Sequence, residues 1–260
     1  MFTGNNNRLL GFGFVFLLSL SVHAAGDFEA IGNDEDEIET PTCSQFFDDL
    51  ADYGTECVEI ARGMWQDATT VSALTPSSPW LAKEVARDIT KRKEQRILEI
   101  GFGPGSVTKY IIKKMHPKST LDGVEIMEDL YKYAERRFPK TEYEKVNLVC
   151  GDFVTWKPTY EQYDVIITTV PFTKLPFEVV KGILEKILKL LKPNGKLSCI
   201  ALMGSRTLGY CSWDREKRRT YAEKINLLDS WKRENFTQET PVRIWLNLTS
   251  AYAYHLTKNA

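Results

Sequence analysis

From residue 96 to residue 202 short apolar runs alternate with amphipathic ones, and the turn after the first run holds three glycines in five residues: ILEIGFGPGSVTKYI, residues 97–111. The periodicity predicts strands over 96–100, 120–126, 146–150, 164–169 and 196–202. Between them it predicts helices over 107–115, 128–137 and 176–191. The last of these places Val180, Ile183, Leu184, Ile187, Leu188 and Leu191 on one face. Strands separated by helices imply a parallel sheet covered on both faces. Ligands of such sheets bind beyond the carboxyl ends of the strands, where Gly101, Gly103 and Gly105 fall. Glycine there permits positive φ and lets a ligand approach the backbone.

The end of the chain departs from this alternation. Residues 243–248 and 251–256 read as two strand-like runs, forming either a hairpin or one bent strand. Before them lies a basic, aromatic-rich insertion at about 204–232, predicted helical over 214–228.

Charge is unevenly distributed. Residues 27–62 hold twelve acids against Arg62, and Arg8 is the only charge before them; with a net charge of −1 overall, residues 63–260 carry +9. A basic body suits an anionic partner such as lipid headgroups or nucleic acid. Residues 1–24, polar and then apolar and ending Val22-His23-Ala24, have the grammar of a signal peptide or a membrane anchor. An acidic linker is expected over 25–42 and a helical segment over 43–90. On an unbroken helix Cys43 and Cys57 would stand roughly 21 Å apart, too far for a disulfide. The three histidines and five cysteines show no metal-ligand spacing.

Glu99 lies two residues before Gly101, and Pro104 interrupts the loop, which does not suit a dinucleotide fingerprint. The run Glu-x-Gly-x-Gly-x-Gly resembles motif I of class I S-adenosylmethionine-dependent methyltransferases. The resemblance implies an α/β, Rossmann-like fold with a seven-stranded, mostly parallel sheet over residues 91–260. S-adenosylmethionine is the cofactor it implies, held by Glu99, Gly101, Gly103 and Gly105. It further implies Glu125, with Ile126 beside it, at the ribose hydroxyls. Asp152 would meet the adenine amino group and Phe153 the ring. The stretch TTVPF, 168–172, occupies the substrate-facing motif, so Thr169, Pro171 and Phe172 become candidate catalytic residues.

That motif lacks the Asn/Asp-Pro-Pro-Tyr of many amino-group methyltransferases. Two further stretches resemble the bacterial phospholipid N-methyltransferase family, which methylates phosphatidylethanolamine: SALTPSSPWLAKEVARDI, 72–89, and VRIWLNLTSAYAYHL, 242–256. In the second, Asn247 and Tyr254 join the candidates. Thr249-Ser250 stands where that family has Pro-Pro. The partner implied is a membrane lipid surface, with no metal. Location at a membrane follows: the N-terminal segment suggests the inner membrane or export, and cofactor supply suggests the cytoplasmic side. Two alternatives stay open. One is a ribosomal RNA adenine dimethylase, whose partner is nucleic acid. The other is an exported, non-catalytic binding protein on the same scaffold.

Overall fold

Five parallel strands set the frame, and their carboxyl ends set the site. The computed structural model describes residues 49, 51–56, 77–203, 215–247 and 250–260, all within the unit Cys43–Ala260. The expected leader at 1–24, the linker at 25–42, Cys43 and Cys57 lie outside the described residues, as does the 204–214 part of the insertion.

Helix α1 (Pro79–Val85) grows from the Pro-Ser-Ser stretch. Ser78 caps it by accepting the Leu81 N–H on its Oγ at 3.3 Å, and Pro79 occupies the first turn. Then follow β1 (Arg96–Ile100), α2 (Ser106–Lys114), β2 (Thr120–Glu125), α3 (Glu128–Arg137), β3 (Val146–Cys150), β4 (Tyr163–Thr168), α4 (Phe177–Leu190) and β5 (Leu191–Leu202). Helix α5 (Arg215–Asn235) leads to β6 (Phe236–Gln238), β7 (Val242–Ile244) and β8 (Ala251–Lys258). The sheet order is β3-β2-β1-β4-β5-β8-β6, with β7 also paired to β8. Strands β1 to β5 are parallel, and β8 runs antiparallel to β5.

Two details correct the sequence reading, and a third decides between its alternatives. Among the described residues the sheet has eight strands, not seven: the three-residue β6 is too short to give a period. The two terminal runs form a hairpin, with Ile244 opposite Ala251. The Lys-Pro-Asn-Gly stretch lies inside β5 and does not precede it. Asn194 takes φ 59° there, and the pairing with β4 shifts register between Tyr163 and Val165.

Each sheet face buries its own core. On one face α4 and α5 bring Ile183, Leu184, Ile187, Leu228 and Trp231 over Ile166, Leu197 and Cys199. On the other, α1 and α2 bring Leu81, Val85, Val107 and Ile111 over Ile97, Val165 and Ile167. Burying one such side chain stabilises by about 1.5–3 kcal/mol.

A polar clamp fastens α1 to the sheet. His255 on β8 is buried, with Glu84 Oε1 3.1 Å from Nε2, and Asp88 Oδ2 3.2 Å and Ser198 Oγ 3.1 Å from Nδ1. Burial disfavours the imidazolium. Hydrogen bonds with Asp88 and Glu84 outweigh it and hold the group above its ordinary value.

The described N-terminal residues 51–56 are helical, and their acids are not a solvated face. Lys109 Nζ reaches Asp49 at 3.0 Å and Asp52 at 2.7 Å; Lys83 also pairs with Asp49, and Arg137 with Asp52 and Glu56. Asp49, Asp52 and Glu56 thus pair with bases of the body on their own chain.

Candidate active site

The carboxyl ends of β1, β2 and β4 open into a cavity of about 280 Å³. Its outer walls are loops: the glycine loop from Gly101 to Pro104, Glu125 to Met127, Gly151 to Phe153, and Thr168 to Leu175.

All three loop glycines have positive φ, at 74°, 56° and 89°. Two are required by the protein's own packing. A Cβ on Gly101 would lie 2.8 Å from Val170 Cγ2, and one on Gly105 would lie 2.5 Å from Phe138 Cε2. A Cβ on Gly103 would meet nothing within 4 Å. Gly103 lines the cavity, so the open space at its Cα is room that a ligand can use.

Glu125 fastens this loop to the end of β2. Its Oε2 accepts the Gly103 N–H and its Oε1 the Met127 N–H, both at 2.9 Å. Burial raises its pKa, opposed by these backbone bonds. Each carboxylate oxygen has a second lone pair, so the group is braced and keeps acceptor capacity at the cavity wall. Asp152 is exposed and accepts the Val154 N–H on Oδ1 at 2.9 Å. Phe153 is buried beneath it, and Ile126, 64% exposed, offers an apolar surface in the same wall.

Glu99 stands apart. It is fully buried behind the loop and does not line the cavity. Its Oε2 accepts from Thr108 Oγ1 at 2.7 Å, and Oε1 has no partner. Burial pushes its pKa up to about 8, so at neutral pH the carboxyl is mostly protonated. The direct contact with a cofactor expected of it is replaced by support of helix α2 beneath the loop.

Next to the glycine loop, Thr169, Pro171, Phe172 and Asn247 line the same cavity. Thr169 Oγ1 donates to the Gly101 carbonyl at 2.6 Å and so links this wall to the glycine loop. Phe172–Lys174 form a single 3₁₀ turn. The Lys224 ammonium from α5 donates to the Thr173 and Leu175 carbonyls at 2.8 and 2.9 Å, and burial lowers its pKa. Asn247 Oδ1 accepts the Ser78 N–H at 2.8 Å. Ser77 and Asn247 both line the cavity, so this bond between residues 169 positions apart in the chain lies at its wall.

Tyr254 does not belong to this group. On β8 it pairs with Cys199, and its ring lies under Lys232, whose Nζ is 4.1 Å from the ring centroid. Lys232 itself lines the cavity. Sequence reading does not find Lys232 and Lys224, and it places Trp231 in the basic, aromatic-rich insertion and not at the cavity. Leu228 and Trp231 sit at helical spacing, but α5 extends to Asn235 and the helix was ended at 228, because the polar run after it carries little apolar signal. No local pattern marks Lys224; only the fold brings it to the turn.

A methyltransferase-domain family matches residues 97–195. The ornithine lipid N-methyltransferase of Singulisphaera acidiphila is 26% identical over 144 residues, covering 54% of this chain and 74% of that protein. The malonyl-[acyl-carrier protein] O-methyltransferase of Priestia megaterium is 33% identical over 105 residues, but the match spans only 36% of its length. The fold is that of the O-methyltransferase TomG from Streptomyces achromogenes, solved in complex with SAM. The TM-score is 0.57 at 16% identity, over 79% of this chain and 90% of that one.

Residues 97–195 thus carry an S-adenosylmethionine-dependent methyltransferase domain. The methyltransferase's loop end fits that cofactor on its own geometry: open space at Gly103, a braced carboxylate at Glu125, and an exposed apolar surface at Ile126. Among the described residues no cluster of three or more His, Cys, Asp or Glu could hold a metal.

Proposed function

We propose that the methyltransferase acts on the amine of a lipid, phosphatidylethanolamine or a related lipid amine, at a membrane surface. The observation that carries this reading is the Ser78–Asn247 hydrogen bond. It joins, at the cavity wall, the two stretches that resemble the phospholipid N-methyltransferase family. The ornithine lipid N-methyltransferase among the relatives supports it. Among the described residues no helix is long and apolar enough to cross a membrane. In this reading residues 1–24 bring the domain to the bilayer.

In the proposed arrangement the backbone at Gly101 and Gly103 holds the cofactor's aminoacyl part, and Glu125 accepts from the ribose hydroxyls. Asp152 takes the adenine amino group, with Ile126 and Phe153 against the ring. When bound, S-adenosylmethionine supplies an electrophilic methyl on a sulfonium. Transfer needs a neutral amine held in line with it. A free alkyl amine with a lysine-like pKa of about 10.4 is almost wholly protonated at neutral pH. Phe172 and Pro171 shield the acceptor nitrogen from water, and desolvation lowers that pKa. Lys224 fixes the turn that carries them. Thr169 Oγ1, fixed by its bond to the Gly101 carbonyl, has lone pairs that can accept an amine N–H and orient the nitrogen. Asn247 forms the opposite wall.

Purified full-length protein with labelled cofactor should methylate phosphatidylethanolamine, or ornithine lipid run beside it, in vesicles containing anionic lipid. High salt should slow the reaction by screening the basic body. Label in unmodified ribosomal RNA and not in lipid would replace this reading with the RNA dimethylase. Label in neither, with cofactor bound, would refute the lipid acceptor.

A further inference from the structure

Beyond Phe172 the cavity continues inward between α4 and α5, along β5. Its inner walls are Ile183 and Ile187 from α4, Leu197 and Cys199 from β5, and Leu228 and Trp231 from α5. Each belongs to the larger apolar core. These residues are less than a tenth exposed, yet they border space continuous with the glycine loop. Protein cores normally close such space, since interiors pack like organic crystals and an apolar void forfeits stability in proportion to its volume. The cofactor cannot be the reason for it, because the polar groups that fit the cofactor all lie on the loops at the outer end. At the inner end the walls are aliphatic, aromatic and one thiol, and Lys232, next to Trp231, is the charged residue of that lining. There Trp231 Nε1–H, buried, has no acceptor.

We infer that this inner chamber is a subsite for a hydrocarbon chain of the methyl acceptor, whose amine stays at Pro171 and Phe172. The inference rests on the lipid-amine reading above and deepens it: the enzyme draws one chain of its acceptor out of the bilayer and does not read the headgroup alone. Charge and apolarity are sorted along the cavity as they are along an amphiphile. The outer end has the carboxylate of Glu125 and loop backbone, the middle the Pro171–Phe172 turn, and the inner end mostly apolar walls, with Lys232 beside Trp231. An ester or amide carbonyl at the base of the chain would give the Trp231 N–H the acceptor it lacks.

The test uses single-chain phosphatidylethanolamines with hexanoyl, decanoyl and tetradecanoyl chains, each below its micelle concentration. Separately, the fluorescence of cis-parinaric acid, a long-chain polyene, reports chain binding without any methyl transfer. Wild-type kcat/KM should rise with chain length by up to about fourfold per buried methylene. Parinaric acid should bind, and tetradecanoyl lipid should displace it. Cys199→Phe should fill the chamber, flatten the chain-length dependence and abolish parinaric binding, with cofactor affinity by calorimetry unchanged. Should Cys199→Phe lose cofactor binding, and so the fold, Leu228→Phe fills the chamber from the opposite wall. Parinaric acid bound and then excluded by the filled variant, with no lipid amine methylated, upholds the chamber and refutes the lipid-amine acceptor. Lipid amine methylated at a rate indifferent to chain length, with no parinaric binding, upholds the acceptor and overturns the chamber.

Discussion

The two ends of the cavity are assembled in opposite ways. The cofactor end comes from the turns that follow three successive strands, at Gly101–Pro104, Glu125–Met127 and Gly151–Phe153, the first two leading into helices. Each turn follows its strand directly, so position in sequence fixes position in space. The acceptor end draws on Ser77, Phe172 and Asn247, with Lys224 behind, and these meet only because β8 lies beside β5 and α5 crosses the β4 turn. A local site tolerates substitution of its surroundings but not of its backbone. A non-local site depends on the contacts that pin its parts.

The sharpest test of this contrast sets two glycines of one loop against each other. Gly105→Ala puts a Cβ 2.5 Å from the Phe138 ring at φ 89°. It should destabilise the fold by about 2–4 kcal/mol through overpacking and backbone strain, read as a lowered melting temperature. Gly103→Val meets no protein atom within 4 Å at its Cβ. It should cost the fold less, only the strain of a branched residue in left-handed backbone, and abolish cofactor binding in calorimetry. Unchanged cofactor binding by Gly103→Val would break the distinction.

Glu125→Ala comes next in size. It removes a braced carboxylate that also ties down Gly103. Cofactor affinity should fall by about 1.5–3 kcal/mol, the scale of hydrogen bonds to charged groups. A loss within error would mean that the carboxylate only braces the loop.

Lys224→Met tests the acceptor end without touching the cofactor end. It frees the Thr173 and Leu175 carbonyls from their ammonium donor. Turnover should drop roughly tenfold as the Phe172 turn loses position, while cofactor affinity stays within twofold. Equal losses in both would mean the two ends are not separable.

The smallest effect is a pH dependence of stability. His255 titrates above its usual 6.5. Its contribution is therefore full below 6.5 and is lost as pH rises through the raised folded value. Glu84 and Asp88 titrate below 4.5 and 3.8. Their contributions are full above those values and are lost as pH falls through the lowered ones. The clamp is thus strongest between about 4.5 and 6.5. Glu99 adds to the alkaline decline: raised from 4.5 to about 8, it holds a proton in the folded state that the unfolded chain releases, so stability falls between those values. Melting scans across pH should show the alkaline limb flatten in His255→Gln and flatten separately in Glu99→Gln. Wild-type melting that is flat above pH 6.5 would contradict both assignments.

The sequence alone determined the parallel αβ alternation, the glycine loop at the end of β1, and the acids at the ends of β2 and β3. These are consequences of hydrophobic period and of short connections, which are local properties of a chain. Tertiary structure decided the rest. It separated Gly103, open to a ligand, from Gly101 and Gly105, whose hydrogen faces Val170 or Phe138; identical residues in one motif differ only in their distant neighbours. It withdrew Glu99 behind the loop and set Tyr254 beside Cys199 under the Lys232 ammonium, out of the cavity wall. It brought Ser78 to Asn247 and Lys224 to the turn after β4. It also left the inner chamber beside Cys199 and Trp231. In sequence Cys199 reads simply as core, because an apolar side chain has the same pattern whether it meets a neighbour or empty space.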